Sequence, residues 1–226
     1  MKYLILLIIT IILFKFIFRI NIKKIKKQTE NQELSEITKR FPEDIEIAKE
    51  MLKKLNNENV KIEQAKDTGT SLYIAVTNKI IIADMKNNYS RIQTIAHECL
   101  HSKQDKRLQI FNFVISNINL LYFVIITILT VFKIINNIEL PLFIFMILGI
   151  IQFSVRSFLE IDAMTKSKYL AKDYIENKKL CSKEEENKLL EEYDKINKIG
   201  IPFVIDNLLN SILIKSVIYI LISIII

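Results

Sequence analysis

Four long apolar segments, set apart by blocks of charge, limit this chain to few folds. Tyr3 to Phe14 continues, past Lys15 and Arg19, to Ile20; Val114 to Phe132, Leu140 to Val155 and Phe203 to Ile226 are the others. Each approaches the roughly 18–20 apolar residues that a helix needs to cross a bilayer. Lys15 is expected to snorkel to the headgroups. No small-residue cleavage site follows the first segment, so an uncleaved anchor is expected rather than a signal peptide. The second and third segments, joined by the short stretch from Lys133 to Glu139, predict a transmembrane hairpin. Asn112, Ser116, Asn117 and Asn119 enter that hairpin and are expected to face protein or water rather than lipid. The last segment carries Asp206, Asn207, Asn210 and Lys215. It reads either as an interfacial helix that turns inward after Lys215 or as a full span with one polar face. Gly and Pro number 3 each among 226 residues, so helices should dominate.

The net charge of +7 is placed in clusters. Lys23, Lys24, Lys26 and Lys27 follow the first segment, and Lys166, Lys168, Lys172, Lys178, Lys179 and Lys183 follow the third. Both clusters are expected on the cytoplasmic side, with the amino terminus outside. Acidic residues interleave the second cluster and no aromatic platform accompanies it, so it reads as a solvated face and excludes a nucleic-acid partner. Ser182 and Glu185 predict a capping box there, and Gly200 a helix stop. Membrane lipid is the expected surrounding. Cys99 and Cys181 read as free thiols of a reducing compartment.

Between the first two apolar segments lies His97-Glu98-Cys99-Leu100-His101, which contains both histidines of the chain. On a helix, positions i and i+4 share a face, so two imidazoles can grip one zinc ion with Glu98 beside it as base. Ser90 and Gln93 form an S-x-x-Q capping pair before the motif, and Ile92, Ile95, Ala96, Cys99 and Leu100 supply an apolar stripe. Cys99 is expected in the core rather than on the metal. Upstream, Asn21 to Arg40 reads as helix or linker. Pro42, Glu43 and Asp44 open an amphipathic helix that Asn56 and Asn57 end. Val60 to Glu63 predicts a short strand. Leu72 to Val76 and Ile80 to Ala83 predict a hairpin, which either pairs with extended substrate or packs against the motif helix.

A zinc site with two histidines needs a third protein ligand, and a carboxylate is the available type. Two spans return the chain to the side of the motif, where Glu160 and Asp162 are the first acidic residues. Glu160 is the first choice and Asp162 the alternative. Asp162 is otherwise expected to orient an imidazole. Tyr169 and Tyr174 are candidate donors to a developing oxyanion. These readings give a mainly α chain with a small β-sheet (α+β), integral to the membrane, with about four transmembrane helices and a zincin-like catalytic core. The expected divisions are an anchor at 1–20, a membrane-proximal α+β region at 21–108, the hairpin at 109–156, a charged helical region at 157–200 and a last membrane segment at 201–226.

The chain resembles the YugP-like neutral zinc metallopeptidases of bacterial membranes. The likeness runs through the first apolar segment, the helix Glu43 to Leu55, the strand Val60 to Glu63 and the tyrosine-bearing segment Tyr73 to Ala83. It continues through Ala96-His97-Glu98-Cys99-Leu100-His101 with Gln104, and through Glu160-Ile161-Asp162-Ala163. The resemblance implies His97, His101 and Glu160 as ligands of one Zn2+ per chain and Glu98 as catalytic base. It implies a multi-pass zinc metalloendopeptidase of the bacterial cell membrane, acting on a peptide or membrane-protein substrate. Leu100 stands where the family favours glycine, and Met164 where it has a small residue. The alternative is a non-catalytic membrane interaction or scaffold protein whose zinc site is structural or degenerate; a fourth protein ligand such as Cys99 would mark a structural site.

Overall fold

A computed structural model describes residues 2–18, 31–65 and 70–226. The lysine cluster Lys23, Lys24, Lys26 and Lys27, and the first half of the stretch from Asn21 to Arg40, lie outside the described residues. The chain is mainly helical with one three-stranded sheet. It divides into two units, one of residues Asn21–Gln109 and Leu159–Ile201, the other of Met1–Ile20, Ile110–Phe158 and Pro202–Ile226.

The first unit is the α+β one. After helix α1 (Lys2–Ile17), which belongs to the other unit, α2 (Gln32–Lys39) starts it. The Asn31 side chain accepts a hydrogen bond from the Leu34 N–H at 3.2 Å, which satisfies one of the orphan donors of the first turn. Helix α3 (Asp44–Lys54) has Glu43 at its N-cap position without a side-chain cap hydrogen bond, so it begins two residues after Pro42, the expected start. Its far end is a left-handed cap: Asn56 has φ 50°, the Asn57 N–H reaches the Leu52 carbonyl at 2.9 Å and the Asn56 N–H that of Lys53 at 3.0 Å.

Strands β1 (Lys61–Gln64), β2 (Leu72–Ile74) and β3 (Lys79–Ile82) pair in the order β1-β3-β2. The expected hairpin is present as antiparallel β2 and β3, with Asn78 at φ 49° in its turn. The parallel pairing of β1 with β3 has no signature in local sequence. Ile80 and Ile82 of β3 are buried, where they meet Ile47, Met51 and Leu52 of α3 and Ile92, Ile95, Ala96 and Cys99 of α4 (Arg91–Lys103) in one core. That core also takes Leu170, Tyr174 and Ile175 of α6 (Glu139–Lys178), and Leu189 and Tyr193 of α7 (Lys183–Ile225).

Two capping boxes were expected, and one forms. Ser182 and Glu185 exchange hydrogen bonds at 2.7 and 3.2 Å at the start of α7. At α4 the box is absent. Ser90 has helical backbone angles and its hydroxyl turns to Asn88, while buried Gln93 donates to Asn197 at 3.0 Å. A buried amide needs a partner, and the tertiary one wins over the local one. Gly200 and Pro202 do not stop α7, which runs on to Ile225. Gly200 makes room instead, because Met164 Cε lies 2.7 Å from where a β-carbon on Gly200 would stand.

The other unit is built from α1, α5 (Lys106–Val131), the first half of α6 and the second half of α7. Helices α5, α6 and α7 are each long and apolar enough to cross a membrane. The 16 residues of α1 make about 24 Å of helix, less than the roughly 30 Å of a hydrocarbon core, so three spans rather than four meet the length requirement among the described residues. Ile126, Phe145, Ile212 and Tyr219 form this unit's core, and Thr130 donates to the Tyr219 hydroxyl at 3.2 Å. Asn119 is buried as expected, but Asn117 is exposed, its amide returned to the Phe113 carbonyl at 2.7 Å. A polar side chain on an apolar helix can satisfy itself on the preceding turn and needs no facing protein.

Candidate metal centre

The motif helix α4 is held at both ends. At its start Arg91, wholly buried, forms an ion pair with Asp44 at 2.7 Å and donates to the carbonyls of Thr38 and Pro42 at 3.0 and 2.5 Å. This ties α4 to the turn between α2 and α3. Asp44, expected in the first turn of its helix to complement the dipole, has this guanidinium as its closest partner. At the other end Asn57 donates to the Ser102 carbonyl and hydroxyl, both at 2.9 Å. The Gln109 amide donates to the His101 carbonyl.

Ile92, Ile95, Ala96 and Cys99 turn one face of α4 into the core, which leaves His97 and His101 on another. Their Nε2 atoms lie 3.0 Å apart. Glu160, on α6, places Oε2 3.5 Å from His97 Nε2 and 3.6 Å from His101 Nε2. These three residues are the group among the described residues that could hold a metal ion. The fit can be tested on the triangle itself. Zinc bonds of about 2.0–2.1 Å in tetrahedral array put neighbouring ligand atoms roughly 3.3–3.4 Å apart. Sides of 3.0, 3.5 and 3.6 Å bracket that spacing, and two imidazoles with a carboxylate are a donor set that zinc accepts. The residues present therefore fit zinc.

The electrostatics are those of a site built to share a cation. Burial works against ionisation of Glu160, yet the hydrogen bonds and charges of His101 and His97 hold its carboxyl well below the usual range. Glu160 lies beyond the apolar half of α6, in the α+β unit. For His101, burial favours the neutral ring, but Glu160 and then Glu98 raise its pKa overall. Glu98 is 6% exposed. Burial pushes its carboxyl up, against the pull of both imidazoles and a hydrogen bond from the Tyr73 backbone N–H of β2. Strand β2 is an outer strand of the sheet, so this N–H joins the sheet to the motif.

Of the remaining expected residues, Asp162 accepts a hydrogen bond from Gln104 at 2.9 Å and pairs with Lys166 at 2.5 Å. It is Gln104, not Asp162, that meets His101, with Oε1 2.9 Å from Nδ1. Tyr169 and Tyr174 are not brought to the group. On the continuous helix α6 they lie about 13 and 21 Å along the axis from Glu160. Tyr174 is packed in the core beside Phe41, and Tyr169 is 63% exposed. Cys99 is buried in the core with its thiol towards the Ala48 carbonyl at 3.8 Å. Neither Arg91 nor the Tyr73 N–H is among the residues that local sequence singles out. Arg91 had no signal beyond an arginine early in a helix, and a backbone group has none at all.

Residues 3–191 match the family model described as "Putative neutral zinc metallopeptidase". The chain belongs to that family. The match runs from helix α1 through the three strands and α6, including Glu160, into the first turns of α7. No curated protein and no solved structure matches the chain. Membership of this neutral zinc metallopeptidase family gives the three-donor group a chemical context that geometry alone does not supply.

Proposed function

We propose that this protein is a membrane-bound zinc metalloendopeptidase in which His97, His101 and Glu160 hold Zn2+ and Glu98 is the catalytic base. The observation that carries this reading is the triangle of Nε2, Nε2 and Oε2 atoms beside a buried carboxylate. Zinc held there would supply a Lewis acid for the scissile carbonyl and lower the pKa of water. Glu98 takes the proton of the attacking water on a carboxylate oxygen and delivers it to the leaving amine nitrogen. Burial favours this, because a carboxyl whose pKa is raised is a stronger base than one at the ordinary value. His97 and His101 are held in place by the packed face of α4, and β2 offers the extended backbone edge on which a peptide can lie. The same reading places the protein in a bacterial cell membrane as a multi-pass chain, with the catalytic unit on the cytoplasmic side and a peptide or membrane protein as substrate. A structural zinc site would be closed by a fourth protein ligand, and the Cys99 thiol faces the core instead.

The test is Glu98→Gln in the full chain. The variant is expected to bind zinc like the parent and to lose hydrolysis of an unfolded protein substrate by a factor of roughly 10³ or more. Equal activity in parent and variant sinks the assignment of Glu98. A parent that binds no zinc sinks the whole reading.

A further inference from the structure

Gln104 sits where α4 ends. Its backbone is extended, with φ −66° and ψ 163°, while its N–H still reaches the carbonyls of Leu100 and His101. The side chain is thereby released from the helix and crosses to α6. There Nε2 lies 2.8 Å from the Leu159 carbonyl and 2.9 Å from Asp162 Oδ2. On the other side Oε1 lies 2.9 Å from His101 Nδ1. All four residues belong to the α+β unit.

The chemistry of these partners fixes the orientation of the amide. A backbone carbonyl and a carboxylate only accept hydrogen bonds, so the NH2 end must face α6 and the oxygen must face His101. An oxygen there needs a donor, so His101 carries its hydrogen on Nδ1. That leaves the Nε2 lone pair aimed at His97 Nε2 and Glu160 Oε2, the direction in which a metal would be bound. The acceptors on α6 are the residue before Glu160 and the one two after it, so the same amide also sets how far Glu160 stands from the imidazoles.

We infer that Gln104 is a positioning residue for the metal centre: one side-chain amide selects the His101 tautomer and clamps the helix of the two histidines to the helix of Glu160. Asp162 acts through Gln104 and does not orient an imidazole directly. The inference rests on the proposed zinc site. Gln104→Glu is the informative variant, because it keeps the size and the acceptor oxygen but loses the N–H groups and sets a second carboxylate against Asp162 and the Leu159 carbonyl.

The experiment measures zinc affinity of the full chain in detergent by competition with a chromophoric chelator, with helix content followed by circular dichroism. The parent is expected to bind one zinc, and Gln104→Glu and Gln104→Ala to bind about 10–100-fold more weakly with parental helix content. The double variant Gln104→Glu with Asp162→Asn restores a donor opposite the new carboxylate and is expected to regain most of the loss. Gain in that double variant is the result a merely space-filling role would not give. Parental zinc affinity in both single variants, or no regain in the double variant, overturns the inference while leaving the zinc site standing. A parent without zinc overturns the site itself, and so the two failures are told apart.

Discussion

At the residue scale, the decisive groups are few and each is held by a partner on another element. Arg91 and Asp44 are the clearest pair, at 0% and 5% side-chain exposure. Arg91→Met leaves a buried carboxylate without its cation, and a loss of about 3–5 kcal/mol is expected. Urea unfolding followed by circular dichroism measures it, and Arg91→Met with Asp44→Leu should recover only the part due to the stranded charge, since the carbonyls of Thr38 and Pro42 and the Met85 N–H still lose their partners. A second prediction concerns pH. The His101 pKa is raised by Glu160 and Glu98, so its ring takes a proton at a higher pH than an ordinary histidine, whose value is about 6.5. Protons then compete with zinc from above that value downward. Glu160 is shifted the other way and stays ionised throughout. Zinc affinity should therefore fall as pH drops through and below neutrality, with the fall set by imidazole and not by carboxylate. A chelator competition series from pH 8 to about pH 5 gives the curve, and a flat profile above about pH 6 counts against it.

At the scale of elements, two glycines in long helices predict opposite effects. A β-carbon on Gly149 would stand 2.7, 3.1 and 3.2 Å from three atoms of Ile212. Ile212 is branched at its β-carbon and packed in the apolar unit's core, so it has little room to turn. Gly149→Ala should cost about 1–3 kcal/mol by overpacking, and Ile212→Ala should relieve part of it. At Gly200 the neighbour is the terminal methyl of Met164, which can swing aside. Gly200→Ala should be stabilising by up to about 1 kcal/mol, because alanine is the better helix former. Thermal unfolding of Gly149→Ala, of Gly149→Ala with Ile212→Ala, and of Gly200→Ala in one detergent decides both signs. The motif helix itself was legible: H-E-x-x-H with an apolar stripe needs only helical periodicity, which is local. Its N-terminal capping box was not, because Ser90 and Gln93 found better partners in Asn88 and Asn197.

For the whole molecule, zinc would join α4 to α6 within the α+β unit. Removing it should therefore loosen that unit as well as end hydrolysis. At a zinc concentration one hundred times its Kd the linkage contributes about 2.7 kcal/mol, so dialysis against a chelator should lower the melting temperature by several degrees, and zinc should restore it. An unchanged melting temperature contradicts a site shared by two helices. The three long apolar helices make a separate prediction. The protein should stay with membranes through alkaline carbonate extraction and leave them only in detergent, and recovery in the carbonate supernatant would contradict spanning helices.

The sequence by itself determined what depends on near neighbours. Runs of apolar residues set the long helices, i to i+4 spacing set the two histidines and Glu98 on α4, and the absence of a third histidine pointed to a carboxylate. Tertiary structure decided what depends on residues far apart in the chain. It brought Glu160 rather than Asp162 to the imidazoles and left Tyr169 and Tyr174 along α6 away from them. It carried α7 through Gly200 and Pro202. It also set Gln104 between the motif and Asp162. The physical reason is one of range. Periodicity and capping are local, whereas a buried polar group takes its partner from whichever element the packing brings within about 3 Å.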